Sequence, residues 1–384
     1  MIYLDWAASA PPHTDEIIHA YHTAAAAFAN PSSQHALGKQ AHRLLEQART
    51  RCAAVLQVPP STLYFTSGGS EANSLVLLSV LMHPNKGSIA LSAIEHPSIR
   101  EQARALSHCG WDITFIPVDK NGIVHPEAVI AAIRDDTALA AIMSVNNEMG
   151  AIQPIADIKA ALAAHRVGKR PIHLHSDCVQ AIGKLPVAEL CLKEVDSASM
   201  SAHKIGGPRG IGFLYAKKAF PSFIRGGSQE QSIRPGTENI AGALALAACL
   251  EKTYRHFDEK YAKACSLHKL LVEELSRIPA CTLVPQGRSA LLESFSPWVM
   301  QVSFKHVPSE VLMRCLSDRD IFISAGSACS SKKQTRPVME ALHLDSETAQ
   351  STVRISIGES TERADIETFL HVLKEILKEL SVNL

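Results

Sequence analysis

Residues 62–73 read TLYFTSGGSEAN: an apolar run that stops at Thr66, two consecutive glycines at 68 and 69, then a stretch that favours helix. A short run of aromatic and apolar side chains, closed by turn residues and followed by a helical pattern, is the signature of a strand feeding a crossover helix. The alternation continues outward from here, from about residue 40 to 255. Further strands are expected at SIALSA ending at Ala93, DITFI ending at Ile116, ALAAIMSV ending at Val145, IHLHS ending at Ser176 and IGFLYA ending at Ala216. Most lack polar alternation, as strands covered on both faces do. The expected fold class is α/β, a large domain with a mostly parallel mixed sheet.

Beyond it, Ile240 to about Ile278 reads as mostly helical and leads into strands around Thr282, Val302, Ile321 and Arg354, with a helix after Glu362. That pattern makes a smaller α+β unit. We place the large domain at 15–255 and the small one at 1–14 and 256–384, packed together because no low-complexity linker intervenes. A chain of 384 residues with 46% hydrophobic content has the length and the apolar material for two such cores.

Charge excludes other classes. Thirty-eight basic residues balance 38 acidic ones, so no large field favours direct nucleic-acid binding. Nine scattered cysteines without a CxxC pair frame neither disulfides nor a metal site, and fit a reducing, cytoplasmic location. The start, MIYLDWAASAPPHTDE, lacks a leader pattern, and no segment approaches the roughly 18 apolar residues of a membrane span.

Ligands of an open parallel sheet sit beyond the carboxyl ends of its strands. After Thr66 come Gly69 and Ser70, where glycine lets a backbone approach a ligand and Ser70 is placed to cap a helix whose free N–H groups favour phosphate. The same residues also fit a tight turn with an ordinary cap, and the absence of GxGxxG argues against a dinucleotide site. After Ser176 come Asp177 and Gln180. An aspartate at a buried strand end needs a cationic or hydrogen-bonding partner, and a pyridinium nitrogen is one; a carboxylate capping the next helix is the other reading. Next comes Ser199-Met200-Ser201-Ala202-His203-Lys204-Ile205-Gly206-Gly207. Its single lysine is suited to a Schiff base if buried, with Ser201 and His203 in reach of a phosphate, or else it is a solvated lysine on a surface loop.

A phosphate cradle, a strand-end aspartate and a lysine loop in that order are what pyridoxal 5'-phosphate requires. The sequence resembles the cysteine desulfurases of the NifS/IscS type, within the class V aminotransferase group of fold-type I pyridoxal-phosphate enzymes. The resemblance is carried by YLDWAASAP, NPSSQHALGK, FTSGGSEAN, IEHPSI, VNNEMGAIQPI, HSDCVQAIGK, SAHKIGGPRGIGFLY, RPGTENIAG, SAGSACSS and VRISIG. It implies that Lys204 carries the cofactor, Asp177 pairs with the pyridine nitrogen, Gln180 approaches the ring hydroxyl and His96 stacks on the ring. Gly69, Ser70, Ser201 and His203 match phosphate-binding positions, and Thr237 matches one supplied across the interface of a homodimer. Asn147 and Arg354 match positions that bind the carboxylate of L-cysteine, a task suited to arginine's planar fork.

Cys329 lies in the small, polar run Ser324-Ala325-Gly326-Ser327-Ala328-Cys329-Ser330-Ser331-Lys332-Lys333, expected to be an exposed loop. Lys332 and Lys333 favour its thiolate, whereas most of the other eight cysteines sit in apolar surroundings. A fortuitous surface thiol is the bland alternative. The resemblance implies that Cys329 receives sulfur as a persulfide and passes it to an acceptor protein, an iron–sulfur scaffold or a tRNA-thiolation enzyme. Two stretches depart from the family pattern: Ser228, Ser232 and Pro235 replace a glycine, a basic residue and a serine, and Cys178 stands where alanine is usual. The rival readings are a selenocysteine lyase or an aminotransferase on the same scaffold and, from another class, a cofactor-free sulfur-relay partner.

Overall fold

The computed structural model describes residues 1–326 and 336–380; Cys329, Lys332 and Lys333 therefore lie outside the described residues. Among the described residues the strands are β1 (Ile2–Tyr3), β2 (Leu63–Thr66), β3 (Ser88–Ser92), β4 (Asp112–Ile116), β5 (Thr137–Ala141), β6 (His173–Asp177), β7 (Ser197–Ser201), β8 (Gly212–Ala216), β9 (Cys281–Val284), β10 (Val299–Phe304), β11 (Ile321–Phe322) and β12 (Thr352–Ser356). Four helices matter most for the site: α1 (Thr14–Ala25), α2 (Ala36–Leu56), α3 (Gly69–Ser79) and α4 (Pro97–His108).

The main sheet has seven strands in the order β2-β8-β7-β6-β5-β3-β4. The pairs β3–β4, β3–β5, β5–β6 and β6–β7 are parallel, while β8 runs antiparallel to both β7 and β2. The carboxyl ends of β2, β3, β5, β6 and β7 thus meet along one edge, where Ser67, Ala93, Ile142, Cys178 and Ala202 begin their loops. Order reverses beside β3, with β4 on one flank and β5 on the other, so the loop after β3 opens at a topological switch point.

β7 was absent from the expected strands. Its sequence, SASMS, is short of branched and aromatic side chains, yet all five residues are buried because α3 packs closely over it. Sequence pattern reports side-chain hydrophobicity, and here burial rests on smallness. β5 stops at Ala141 rather than Val145: the Met143 N–H leaves the ladder for Glu95 Oε1 at 2.7 Å, and Val145 bridges Ile152.

Two apolar clusters flank this sheet, one including Leu45, Val129 and Leu246, the other Leu75, Ile99 and Leu139. A third joins Leu4 and Ala7 to residues between Ala264 and Leu377, around the three-stranded antiparallel sheet β12-β10-β9. The N-terminus bridges the parts. β1 pairs with β11, Asp5 bridges Ser356, and Ala7 and Ala8 then cross to the main sheet's edge. Among the described residues no helix is long and apolar enough to cross a membrane.

Candidate active site

The strand ends converge on a cavity of about 240 Å³. Gly69, Ser70, His96, Asn147, Asp177, Gln180, Ser201, His203, Lys204 and Arg354 all line it. Thr237 is exposed and does not line it within a single chain.

Ser70 is not the cap of α3, contrary to expectation. Gly68 is, at φ +146° and ψ −174°, a conformation open essentially to glycine. Ser70 becomes the second helical residue, so its backbone N–H and that of Gly69 are among the donors left without intrahelical partners. Space there is tight: a Cβ on Gly69 would come within 2.6 Å of Val179 Cγ2, and one on Gly68 within 3.2 Å of Ser201 Oγ. Ser201 Oγ lies 2.8 Å from His203 Nδ1. Burial, with the charges of Lys204, Arg209 and Lys184 beside it, pushes His203 down to about 4, so the ring is neutral at pH 7.

Asp177, the last residue of β6, is 4% exposed. Its Oδ1 accepts the Val179 N–H at 3.0 Å and its Oδ2 accepts Asn73 Nδ2 at 2.8 Å. A carboxylate only accepts, so it dictates which way the Asn73 amide faces. Asn73 Nδ2 also donates to Ser98 Oγ at 2.8 Å, and Asn73 Oδ1 must then accept from His175 Nε2 at 2.9 Å. His175 Nδ1 in turn takes the Ser197 hydroxyl at 2.8 Å. Burial, helped by neighbouring His173, holds His175 down at about 3, and the chain consists of neutral groups behind one carboxylate. Asn73 and His175 fall within the sequence motifs but carry no expected role there. The available signal was spacing: Asn73 lies three residues after Ser70 on the same helix face, and His175 lies two before Asp177 on the same face of a strand.

His96 caps α4 by accepting the Ser98 N–H on Nδ1 at 3.1 Å, which leaves Nε2 as the protonated nitrogen of the neutral ring. Burial lowers its pKa, with Asp177 opposing and Lys204 reinforcing. Beside it Glu95 is fully buried, accepting from Ser92 Oγ at 2.5 Å and from Met143 N, while Oε2 has no partner among the described residues. Burial pushes this carboxyl up to about 8 and keeps it protonated at pH 7.

Lys204 ends a single 3₁₀ turn after β7, not a solvated loop. Its Nζ donates to Ala7 O and Ala8 O, each at 2.8 Å. Gln180 Nε2 donates to the same Ala7 carbonyl at 2.9 Å. Arg354 sits mid-strand in β12 and is 1% exposed. Its Nη1 donates to Asn147 O at 2.9 Å and its Nη2 to Asp5 Oδ1 at 2.8 Å, while Nε has no partner among the described residues.

Within the departing stretch one carboxylate anchors the backbone. Glu230, Gln231 and Ser232 adopt φ of 45°, 54° and 64°, the left-handed region, without a glycine among them. Buried Glu230 holds them there: it accepts both Arg49 Nη1 and Nη2 at 2.8 Å and the Phe65 N–H at 2.8 Å. Cys178, also buried, packs with its Sγ 3.5 Å from Cys191 Sγ. Of the eight cysteines described, Cys109 and Cys265 are exposed.

The aminotransferase class-V family model matches residues 2–369. A NifS/IcsS protein homolog from Lactobacillus delbrueckii subsp. bulgaricus is 36% identical over 359 residues, 92% of this chain and 91% of that one. A cysteine desulfurase IscS from Dictyoglomus turgidum is 32% identical over 99% of this chain and 95% of its own. Among solved structures, a NifS-like protein superposes with a TM-score of 0.87 at 31% identity over 98% and 99% of the two chains. SspA in complex with cysteine gives 0.79 at 30% identity over 93% and 99%. With its site built on the strand ends that fold provides, the chain belongs to the class-V aminotransferase family.

Proposed function

We propose that this protein is a pyridoxal-phosphate-dependent cysteine desulfurase that converts L-cysteine to L-alanine and leaves the sulfur on Cys329 as a persulfide. The observation that carries the reading is Asp177. A buried carboxylate lines the same cavity as a lysine amine held by two carbonyls, beside a helix N-terminus where even a methyl group would be crowded. The set fits the cofactor: Asp177 for the ring nitrogen, Gln180 for the ring hydroxyl, Lys204 for the aldehyde carbon, and Gly69, Ser70, Ser201 and His203 for the phosphate. When bound, that group supplies an electron-withdrawing ring that stabilises negative charge at the substrate's Cα.

The residues of the chain do the rest. Arg354 and Asn147 hold the substrate carboxylate. The Lys204 amine would take the Cα proton, and the neutral His96 ring offers Nε2–H as a second proton carrier. The Cys329 thiolate attacks the substrate sulfur: the S–S bond forms, the Cβ–S bond breaks, and the three-carbon fragment takes up protons and leaves as alanine. The sulfur then passes to an acceptor protein of iron–sulfur assembly or tRNA thiolation.

We also propose the division at 15–255 against 1–14 and 256–384, supported by the separate apolar clusters, and a cytoplasmic homodimer in which Thr237 reaches the partner's phosphate site. Exposed Ile18, Tyr21, Phe28 and Leu37, on and after α1, supply an apolar face for that contact.

The test is mass spectrometry of the holoenzyme after addition of L-cysteine, with alanine measured in parallel. An added sulfur on Cys329 is expected, with both signals lost in Cys329→Ser and retained in Cys109→Ser and Cys265→Ser. Undiminished alanine and sulfide from Cys329→Ser would sink the persulfide route.

A further inference from the structure

Lys184 stands behind the cavity wall, bonded to the lining residue Gln180, and this chemistry gives it no task. Its side chain is buried at 6% exposure, and no carboxylate stands within ion-pair distance among the described residues. Its Nζ donates to Gln180 Oε1, and its backbone carbonyl accepts the indole N–H of Trp298, the residue just before β10, at 2.7 Å. A buried lysine held by one neutral hydrogen bond is costly where a methionine would fill the same space. The position of that bond explains the cost.

Gln180 is held at both ends of its amide. Its Oε1 faces the Lys184 amine and its Nε2 faces the Ala7 carbonyl, the same carbonyl that accepts Lys204 Nζ. Rotating the amide by half a turn would set two oxygens against each other at Ala7. With Lys184 removed, Oε1 would be a buried carbonyl lacking its donor, and the amide would be driven to turn toward any other donor in reach. Nε2 has two N–H groups and Ala7 takes one, so the second is kept for the cavity that Gln180 lines.

We propose that Lys184 is a positioning residue: it locks the Gln180 amide so that an N–H, and not the carbonyl, meets the ring oxygen of the bound cofactor. The proposal rests on the pyridoxal-phosphate reading and adds a residue to it. An N–H donated to that oxygen favours its anion, so losing the alignment raises the pH at which the ring system ionises. Burial, reinforced by the nearby charges of Lys204 and Arg354, lowers the pKa of Lys184 itself, in keeping with an amine that serves as a hydrogen-bond donor more than as a charge.

The experiment is a pH titration of the visible absorption band of the purified holoenzyme, together with its rate of cofactor release. Lys184→Met is expected to raise the midpoint by about one pH unit, a tenfold change, to match Gln180→Leu, and to add nothing further in the double variant. If Lys184→Met does not fold, Lys184→Arg, which keeps a donor, should hold the midpoint close to wild type; a shift as large as that of Gln180→Leu overturns the proposal. A wild-type protein with no visible band defeats the cofactor reading itself. A wild-type band whose midpoint Lys184→Met leaves in place overturns the Lys184 proposal alone.

Discussion

Asn73 Nδ2 lies 2.8 Å from Asp177 Oδ2, and through this amide the carboxylate at the floor of the site is tied to α3. The bond sets the rotamer of Asp177, and the opposite end of the amide sets the tautomer of His175. Asn73→Ala should therefore do two things. It leaves a buried imidazole N–H without a partner, at a cost of about 1–3 kcal/mol, and it loosens the carboxylate we propose for the cofactor's ring nitrogen. Chemical denaturation and titration with pyridoxal phosphate should show lower stability and at least roughly tenfold weaker affinity. Unchanged affinity would mean that Val179 N–H alone orients Asp177.

Acid sensitivity follows from the same network. His175 in the folded chain titrates at about 3, below the ordinary value near 6.5. The unfolded chain takes up the proton first, so the stability contributed by neutral His175 is full above pH 6.5 and lost as pH falls toward 3. Between pH 7 and 5 this amounts to about 2 kcal/mol. Glu95 runs the other way: with its carboxyl raised to about 8, stability is greatest below its ordinary value and falls as pH rises through 8. The two offset each other in wild type, so the difference between wild type and His175→Gln is the readout. It should shrink by about 2 kcal/mol from pH 7 to 5; parallel curves would show that His175 takes up its proton at the same pH in the folded and unfolded chain.

Much of this site is legible in the sequence, because the sheet delivers its functional residues at strand ends, and strand ends are where apolar runs stop. Asp177 and Lys204 were found that way, although β7, which leads to Lys204, was not recognised as a strand. Asn73, His175 and Lys184 escaped for a different reason. Asn73 and His175 act on side chains more than a hundred residues away, 104 between Asn73 and Asp177, whereas Lys184 stands four residues from Gln180, where a lysine in sequence reads as an ordinary surface charge. The expected capping role of Ser70 failed because Gly68 reaches a backbone conformation closed to serine, a property of φ and not of composition.

Arg354 offers a division between binding and turnover. Its guanidinium is fixed by Asp5 and the Asn147 carbonyl, with Nε lacking a described partner. A lysine there loses the planar fork while keeping the charge. Arg354→Lys should raise KM for L-cysteine by roughly tenfold or more with a smaller change in kcat, since a carboxylate contact is made equally before and during the chemistry. Steady-state kinetics decide it, and an equal loss in kcat with KM unmoved would assign Arg354 to the reacting atoms.

The Arg49–Glu230 pair is the last test, because it separates what holds the left-handed segment from what merely accompanies it. Glu230 is almost wholly buried, with two bonds from Arg49 and one from the Phe65 N–H, and Arg49 lies 4.9 Å over the Phe65 ring. Removing Glu230 leaves the buried guanidinium only the partly exposed Glu46, 3.1 Å from Nε, and the Leu63 carbonyl, so Glu230→Ala should cost about 3 kcal/mol in denaturant unfolding. Replacing both by apolar residues of similar length, Arg49→Met with Glu230→Met, removes the charges together and should recover most of that loss. The recovery has a ceiling, since the Phe65 N–H and the strained backbone from Glu230 to Ser232 still lack their carboxylate. A double variant as unstable as Glu230→Ala would mean that this anchoring, and not the stranded arginine, dominates. The segment's conformation would then depend on the carboxylate itself, and Glu230→Gln, with an acceptor but no charge, should sit midway between wild type and alanine.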